Sequence, residues 1–292
     1  MKNKFIKNFN VQKSEFRDWD TVFKNAQSIK IKTLKTGSII SKVSRIINLR
    51  NINANQLNDA TVILPVLVHV IRHPKYGDYL IDSGFDASFK DSSGGTFKGL
   101  MKSFYFRKRY IQEKNSDGVE KQIKEELINI KGVFFTHFHE HAAGVPALPD
   151  NIPYIFGGGE QEINYFPFIY SDFFKNKVDL QKLDFSSGQK MPILGNCIDV
   201  FRDGSFWAFS TPGHTKGHVS YLINGDEVQT LITGDACISK KGFELETETG
   251  KNSINLEEGR ESFLKIIEFT KKYPNIEKIF GHETSKFIIE YR

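Results

Sequence analysis

Apolar residues in this chain gather in short runs, most of them closed by glycine, proline or a charged turn. Val62–Ile71 and Tyr79–Ile81 read as β-strands, and the stretch His73-Pro74-Lys75-Tyr76-Gly77-Asp78 between them reads as a hairpin turn. Asp82-Ser83-Gly84 follows the second strand. Later runs of the same kind are Tyr154–Phe156, Ile198–Phe201, Phe206–Phe209, Val219–Ile223 and Thr230–Thr233. A helix is expected over Leu256–Lys272. Asn255 stands as its N-cap with Glu258 three residues on, and Tyr273-Pro274 stops it before a last strand at Ile276–Phe280.

Between 86 and 131 the spacing turns helical, first through Phe97, Leu100, Met101, Phe104 and Ile111, then through Val119, Ile123, Leu127 and Ile130. The expected organisation is a polar, lysine-rich extension over residues 1–30 and a single domain over 31–292, with a helical insertion at about 86–131. No internal repeat or low-complexity tract interrupts it.

Composition narrows the class without naming it. The 292 residues are 39% hydrophobic and 26% charged, the profile of a globular protein with a sizeable core. The formal net charge is +5, from 40 basic and 35 acidic residues spread along the chain, far from a nucleic-acid-binding extreme. The one dense basic cluster, Arg107-Lys108-Arg109, reads as a solvated helix face. Cys197 and Cys237 form neither a disulfide framework nor a Cys-x-x-Cys site, which fits a reducing cytoplasm. Met1-Lys2-Asn3-Lys4-Phe5 lacks the apolar stretch of a signal peptide, and no apolar run is long enough to span a bilayer. A cytoplasmic location is therefore expected.

Chemistry concentrates in Thr136-His137-Phe138-His139-Glu140-His141-Ala142-Ala143-Gly144, directly after Val133-Phe134-Phe135. Imidazole is the commonest protein ligand for divalent transition metals. Histidines at i and i+2 leave an extended backbone on the same side, so His137 and His139 can close on one ion. A solvated histidine tract is set aside because matching ligand types recur downstream. They stand in Ser210-Thr211-Pro212-Gly213-His214, Ile232-Thr233-Gly234-Asp235 and Ile279-Phe280-Gly281-His282, each just past an apolar run. Strand ends collected at one sheet edge would bring these groups together.

With these pieces in place, the chain resembles the metallo-β-lactamase-fold hydrolases from about Val62 to His282. It is most similar in text to the branch that includes N-acyl homoserine lactonases. The matching strings are Leu80-Ile81-Asp82-Ser83-Gly84, the histidine cluster, Thr211-Pro212-Gly213-His214-Thr215-Lys216-Gly217-His218, Thr233-Gly234-Asp235 and Gly281-His282. The resemblance implies an α+β fold, an αββα sandwich of two mixed sheets flanked by helices. It also implies that His137, His139 and His214 bind a first metal, that Asp235 bridges to a second, and that His282 completes the second. Zinc, two ions per chain, suits the mixed nitrogen and oxygen donors, with iron or manganese as other ions the set accepts.

Two departures matter. The family pattern His-x-His-x-Asp-His meets only His137-Phe138-His139-Glu140-His141 here. Either His141 takes the aspartate slot, or one residue is missing and Glu140 and His141 stand for Asp-His; His141 is a ligand candidate in both. Glu140 is also the nearest carboxylate to orient a hydroxide or pass a proton, so Glu140 and Asp235 are the catalytic candidates. Secondly, Ile238 stands where the lactonase branch commonly places a tyrosine that polarises the carbonyl.

Asp82 is expected to fix a ligand histidine rather than bind metal. His218 is expected to hydrogen-bond within its loop, Cys237 to be a small buried residue, and His69 and His73 carry no assigned role. Gly157-Gly158-Gly159 reads as a turn, and Phe97–Tyr110 as either a wall of an apolar acyl pocket or simple helix packing. The expected function is a metal-dependent hydrolase, a metal-bound hydroxide attacking a lactone, ester or thioester carbonyl of a small acyl substrate. Its competitors are a mononuclear iron sulfur dioxygenase on the same scaffold and a phosphodiesterase or RNA-processing nuclease. No nucleic-acid or membrane partner is expected, and a homodimer is left open.

Overall fold

The structure, a computed structural model, describes residues 4–91, 94–106, 109–111 and 117–292. Arg107 and Lys108 of the basic cluster and the 92–93 stretch of the loop before Phe97 lie outside them. The chain folds as two sheets packed face to face with helices outside. The larger, nine-stranded sheet runs in the order Ile6–Asn8, Asp179–Leu183, Pro153–Gly157, Ile130–Phe134, Gly77–Ile81, Thr61–His73, Lys30–Lys42 and Tyr110–Ile111, with Glu290–Tyr291 also paired to Thr61–His73. The second has six strands, Gln189–Met191, Gly195–Asp199, Phe206–Ser210, Val219–Asn224, Gln229–Ile232 and Glu277–Ile279. Both sheets mix parallel and antiparallel pairs, as the αββα expectation requires.

Both faces of the central strands are covered, which is why they read as unbroken apolar runs. Tyr221 and Ile223 face Phe134, Ile155 and Phe206 between the sheets. Leu222, next along the same strand, points outward to Trp207, Ile266 and Phe269 beneath the helix Leu256–Lys272. That helix begins where expected, with the Asn255 side chain accepting from the Glu258 N–H at 3.2 Å. Among the described residues no helix is long and apolar enough to cross a membrane.

The lysine-rich extension packs on the domain, with residues 4–30 woven into it. Ile6–Asn8 adds a parallel edge strand on Asp179–Leu183. Helix Trp19–Lys24 buries Trp19 completely against Trp207 and Phe269, with ring centroids 5.3 and 5.4 Å away. The few apolar residues of this segment are its anchors, and their wide spacing hid them.

The expected helical insertion holds only short pieces, a 3-10 turn Ala87–Asp91 and helices Lys102–Phe106 and Val119–Glu125. Gly99 sits at φ +116 against the Phe168 carbonyl, where a Cβ would come within 2.1 Å, so no longer helix can pass through it. The regular spacing consequently does not mark one buried face. Phe97 and Phe106 are buried, whereas Leu100 and Phe104 point to solvent.

Candidate metal centre

The site lies at one edge of the sandwich because that is where the relevant strands end. Gly77–Ile81 and Ile130–Phe134 run parallel with Ile81 beside Phe134, and Gln229–Ile232 and Glu277–Ile279 run parallel with Ile232 beside Ile279. Asp82, the histidine cluster, Asp235 and His282 follow these four ends. His214 follows Phe206–Ser210, which points the same way two strands over. The sheets are laced together here, since the Val219 N–H donates to the Thr136 carbonyl at 2.9 Å and the Tyr221 hydroxyl to the Phe135 carbonyl at 2.7 Å.

All six expected ligands converge and, joined by Glu140, sort into two groups. His137, His139 and His214 form one; Glu140, His141, Asp235 and His282 form the other, with donor atoms within 4.8 Å of one another in each. Asp235 joins them. Its Oδ2 lies 3.3 Å from His214 Nε2 and 3.8 Å from His137 Nε2, while its Oδ1 lies 3.6 Å from His282 Nε2 and 3.7 Å from His141 Nε2. His139 presents Nδ1, 3.0 Å from His214 Nε2.

Geometry shows where the altered motif puts its side chains. Glu140 Oε1 stands 3.4 Å from His282 Nε2, inside the second group, and His141 stands beside it. A tight 3-10 turn, Glu140–Ala142, starting at His139 delivers three consecutive side chains to the two groups.

Surrounding hydrogen bonds fix the ring orientations. Asp82, held at φ 65, accepts the Thr136 N–H on Oδ1 and the Thr136 hydroxyl on Oδ2, both at 2.8 Å. Its Oδ2 also lies 2.9 Å from His141 Nδ1, which leaves Nε2 to face the cluster. His282 Nδ1 donates to the Pro65 carbonyl at 2.7 Å, with the same effect on its Nε2. The Asp235 carboxylate also demands close backbone approach: a Cβ on Gly281 would lie 2.1 Å from Asp235 Oδ1.

His218 Nε2 accepts the Asp235 N–H at 2.9 Å and its Nδ1 meets the Thr211 hydroxyl at 2.8 Å, so it carries Asp235 rather than facing the cluster. Cys237 packs with Phe263, Ile267 and Phe280. His69 bonds to the Thr33 hydroxyl and His73 to Asp203, away from the cluster.

Sequence reasoning missed Glu160. Its Oε2 accepts the Phe138 N–H at 3.0 Å, and its Oε1 accepts the Gly217 N–H at 3.1 Å and the Thr215 hydroxyl. It therefore ties the His137–His139 loop to the loop after His214, and burial lifts its carboxyl to about 7. The signal was present, because Glu160 also follows a strand end, Pro153–Gly157, through the glycine run.

The donor set fits a metal ion on its own evidence. His137 Nε2, His141 Nε2 and Asp235 Oδ1 are buried without a hydrogen-bond partner, which is costly for groups with no further role. Burial, helped by neighbouring imidazoles, pushes His137 well below its ordinary range, and burial holds His214 down to about 4, so both are neutral donors at neutral pH. Glu140 is ionised, since His282, His141 and His139 overcome its burial and hold it at about 2. Asp235 likewise stays ionised despite burial, because His282 and His214 face it. Together Asp235 and Glu140 overcome the burial of His282 and raise it to about 10, which marks this point as one that calls for positive charge.

A pocket of about 580 Å³ opens onto His139, Glu140, Asp235 and His282. Its walls set apolar side chains, Ile39, Leu64, Phe106, Ile163 and Ile238 among them, beside polar ones such as Ser41, Tyr165 and Asn252. Of the phenylalanine-rich segment Phe97–Tyr110, then, Phe106 contributes to the wall while Phe97 packs in the core. A larger cleft of about 770 Å³ lies on the far side of Glu160 and reaches none of the histidines.

Comparison with known proteins bears on the family and the fold. The model of the metallo-beta-lactamase superfamily matches residues 62–258. An N-acyl homoserine lactonase AttM of Agrobacterium fabrum (strain C58) is 26% identical over 264 residues, 87% of this chain and 93% of that protein. An atrochrysone carboxyl ACP thioesterase of Aspergillus chevalieri is 27% identical over 141 residues, 48% of this chain and 38% of its own length. A solved N-acyl homoserine lactone hydrolase, with N-hexanoyl-L-homoserine at its catalytic metal center, superposes with TM-score 0.66 at 19% identity. That match covers 91% of this chain and all of the other, 100%.

Proposed function

The chain belongs to the metallo-beta-lactamase superfamily, and from that premise we propose that it is a metal-dependent hydrolase opening an ester-like acyl bond, lactone, ester or thioester, in a small substrate. The observation that carries this reading is Asp235, whose two oxygens face two separate donor groups and which lines an open pocket. Zinc is the proposed ion, with His137, His139 and His214 holding one, Glu140, His141 and His282 the other, and Asp235 touching both. Such a pair supplies water activated near neutral pH and a Lewis acid for the carbonyl oxygen.

The protein's share of the work is positioning. Asp82 and the Pro65 carbonyl lock His141 and His282 in the orientations that turn Nε2 to the cluster. Ile39, Leu64 and Ile238 keep bulk water from the acyl group. Glu140 was a candidate for proton transfer as well as orientation. A carboxylate held at about 2 is a poor base at neutral pH, which supports donation to an ion instead. Asp235 remains the carboxylate nearest both groups, and Ile238 supplies no hydroxyl to polarise a carbonyl, which leaves the exact acyl bond open among the three.

Four donors in the second group support two ions over the single iron of a sulfur dioxygenase. The net charge of +5 is modest and spread along the chain, which lends a phosphodiester polymer little support as the substrate. Elemental analysis of purified protein beside a panel of lactone, thioester and phosphodiester substrates tests the whole reading. The expected result is about two zinc ions per chain and chelator-sensitive, zinc-restored turnover of acyl substrates only. A single iron with oxygen consumption would reverse it.

Asp82 offers a finer test. Asn tolerates the positive φ that this position adopts, so Asp82→Asn should fold. Removing the charge behind His141 is expected to lower metal affinity and activity by about 10–100-fold. Unchanged metal titration and kinetics in that variant would remove Asp82 from the site's support.

A further inference from the structure

The pocket mixes apolar and polar walls, and its charged side chains stand at two places. At its floor stand the metal-facing groups, including Glu140 and Asp235, the only carboxylates in its lining among the described residues. Elsewhere in the lining stand three cations, Arg45, Arg109 and Lys251. Hydrogen bonds of the main chain fix where they emerge. The Lys251 N–H donates to the Ser44 carbonyl at 2.9 Å and the Asn252 N–H to the Arg45 carbonyl at 3.4 Å, so Arg45 and Lys251 flank the same seam. Ile254, in the same loop, donates its N–H to the His214 carbonyl at 3.2 Å, tying that seam to the metal edge. The Arg109 carbonyl accepts the Ile40 N–H at 2.7 Å on the neighbouring strand.

Nearby acids are engaged elsewhere. Asp59, which feels the field of Lys251, accepts the Ser44 N–H at 2.8 Å and the Ser44 hydroxyl at 2.9 Å. Glu248 pairs with Arg260 at 2.8 Å. Among the described residues neither Arg45 nor Lys251 has an ion-pair partner.

An uncharged acyl chain gains nothing from cations in its pocket and would strip part of their hydration on entry. Resting on the hydrolase reading above, we infer that the substrate is an acyl compound bearing an anionic group, phosphate or carboxylate, beyond the scissile carbonyl, and that Arg45 and Lys251 select it. For a thioester the balance is simple: water forms the new C–O bond, the C–S bond breaks, and a proton from that water ends on the departing thiolate.

Two matched pairs test the inference on the zinc-loaded protein. Hexanoyl-coenzyme A and the hexanoyl thioester of N-acetylcysteamine share the acyl group and bond but differ in phosphate charge. Mono-p-nitrophenyl adipate and p-nitrophenyl hexanoate differ in a terminal carboxylate. The expected result is kcat/KM about tenfold or more in favour of the anionic member, in the first pair for a phosphate source, in the second for a carboxylate. That ratio should fall about tenfold in the R45Q/K251Q variant and persist in R45K/K251R. Equal or reversed preference in both pairs, or a preference that survives R45Q/K251Q, overturns the inference while leaving the hydrolase reading standing. Turnover of none of the four compounds overturns the hydrolase reading, and the inference with it.

Discussion

Replacing Asp235 by asparagine is expected to lower kcat/KM by about 10³-fold, since several kcal/mol of charge stabilisation are at stake and each 1.36 kcal/mol is a decade. Its two oxygens face the two donor groups, and the substitution swaps one of these anionic oxygens for an N–H donor. The amide nitrogen would then point at imidazole nitrogens or at a cation, wrong in either case. Bound metal should drop below the wild-type content in the same preparation. The backbone is expected to hold, because the Asp235 N–H keeps its bond to His218 and the Asp235 carbonyl keeps the Thr249 hydroxyl at 2.8 Å. Wild-type metal content together with wild-type turnover would remove Asp235 from its bridging place.

The second large effect concerns stability. Trp19→Ala should destabilise the fold by about 3–5 kcal/mol, the range for deleting a buried aromatic. Trp19 is fully buried between Trp207 and Phe269, and its indole N–H donates to the Pro192 carbonyl at 2.9 Å. The cost would appear as a lower denaturant midpoint, with the slope of the transition preserved if the segment unfolds with the rest. A loss under about 1 kcal/mol would mean that the N-terminal segment detaches without disturbing the domain.

Much of the architecture was legible because strands buried on both faces must be apolar throughout, and helix Leu256–Lys272 carries its own start and stop signals. The convergence of the six candidate ligands was legible for a different reason. Imidazole and carboxylate groups placed just beyond apolar runs, beside Gly213, Gly234 and Gly281, have few uses other than a shared ion. What escaped was whatever depends on a partner distant in the chain. Trp19 looks like an isolated aromatic until helix Leu256–Lys272 and Trp207 close over it. Glu160 looks like a loop glutamate until three donors from two other loops converge on it. Leu100 and Phe104 keep helical spacing yet point outward, because Gly99 is needed where the Phe168 carbonyl presses close. Local periodicity cannot register that contact.

The tight turn from His139 to Ala142 bears on how sequences of this kind are searched for. It sends three neighbouring side chains to two donor groups, although the string reads His-Glu-His where the family pattern has an aspartate. A signature demanding aspartate at a fixed spacing would pass over this arrangement, and one that measures reach from backbone to oxygen would keep it.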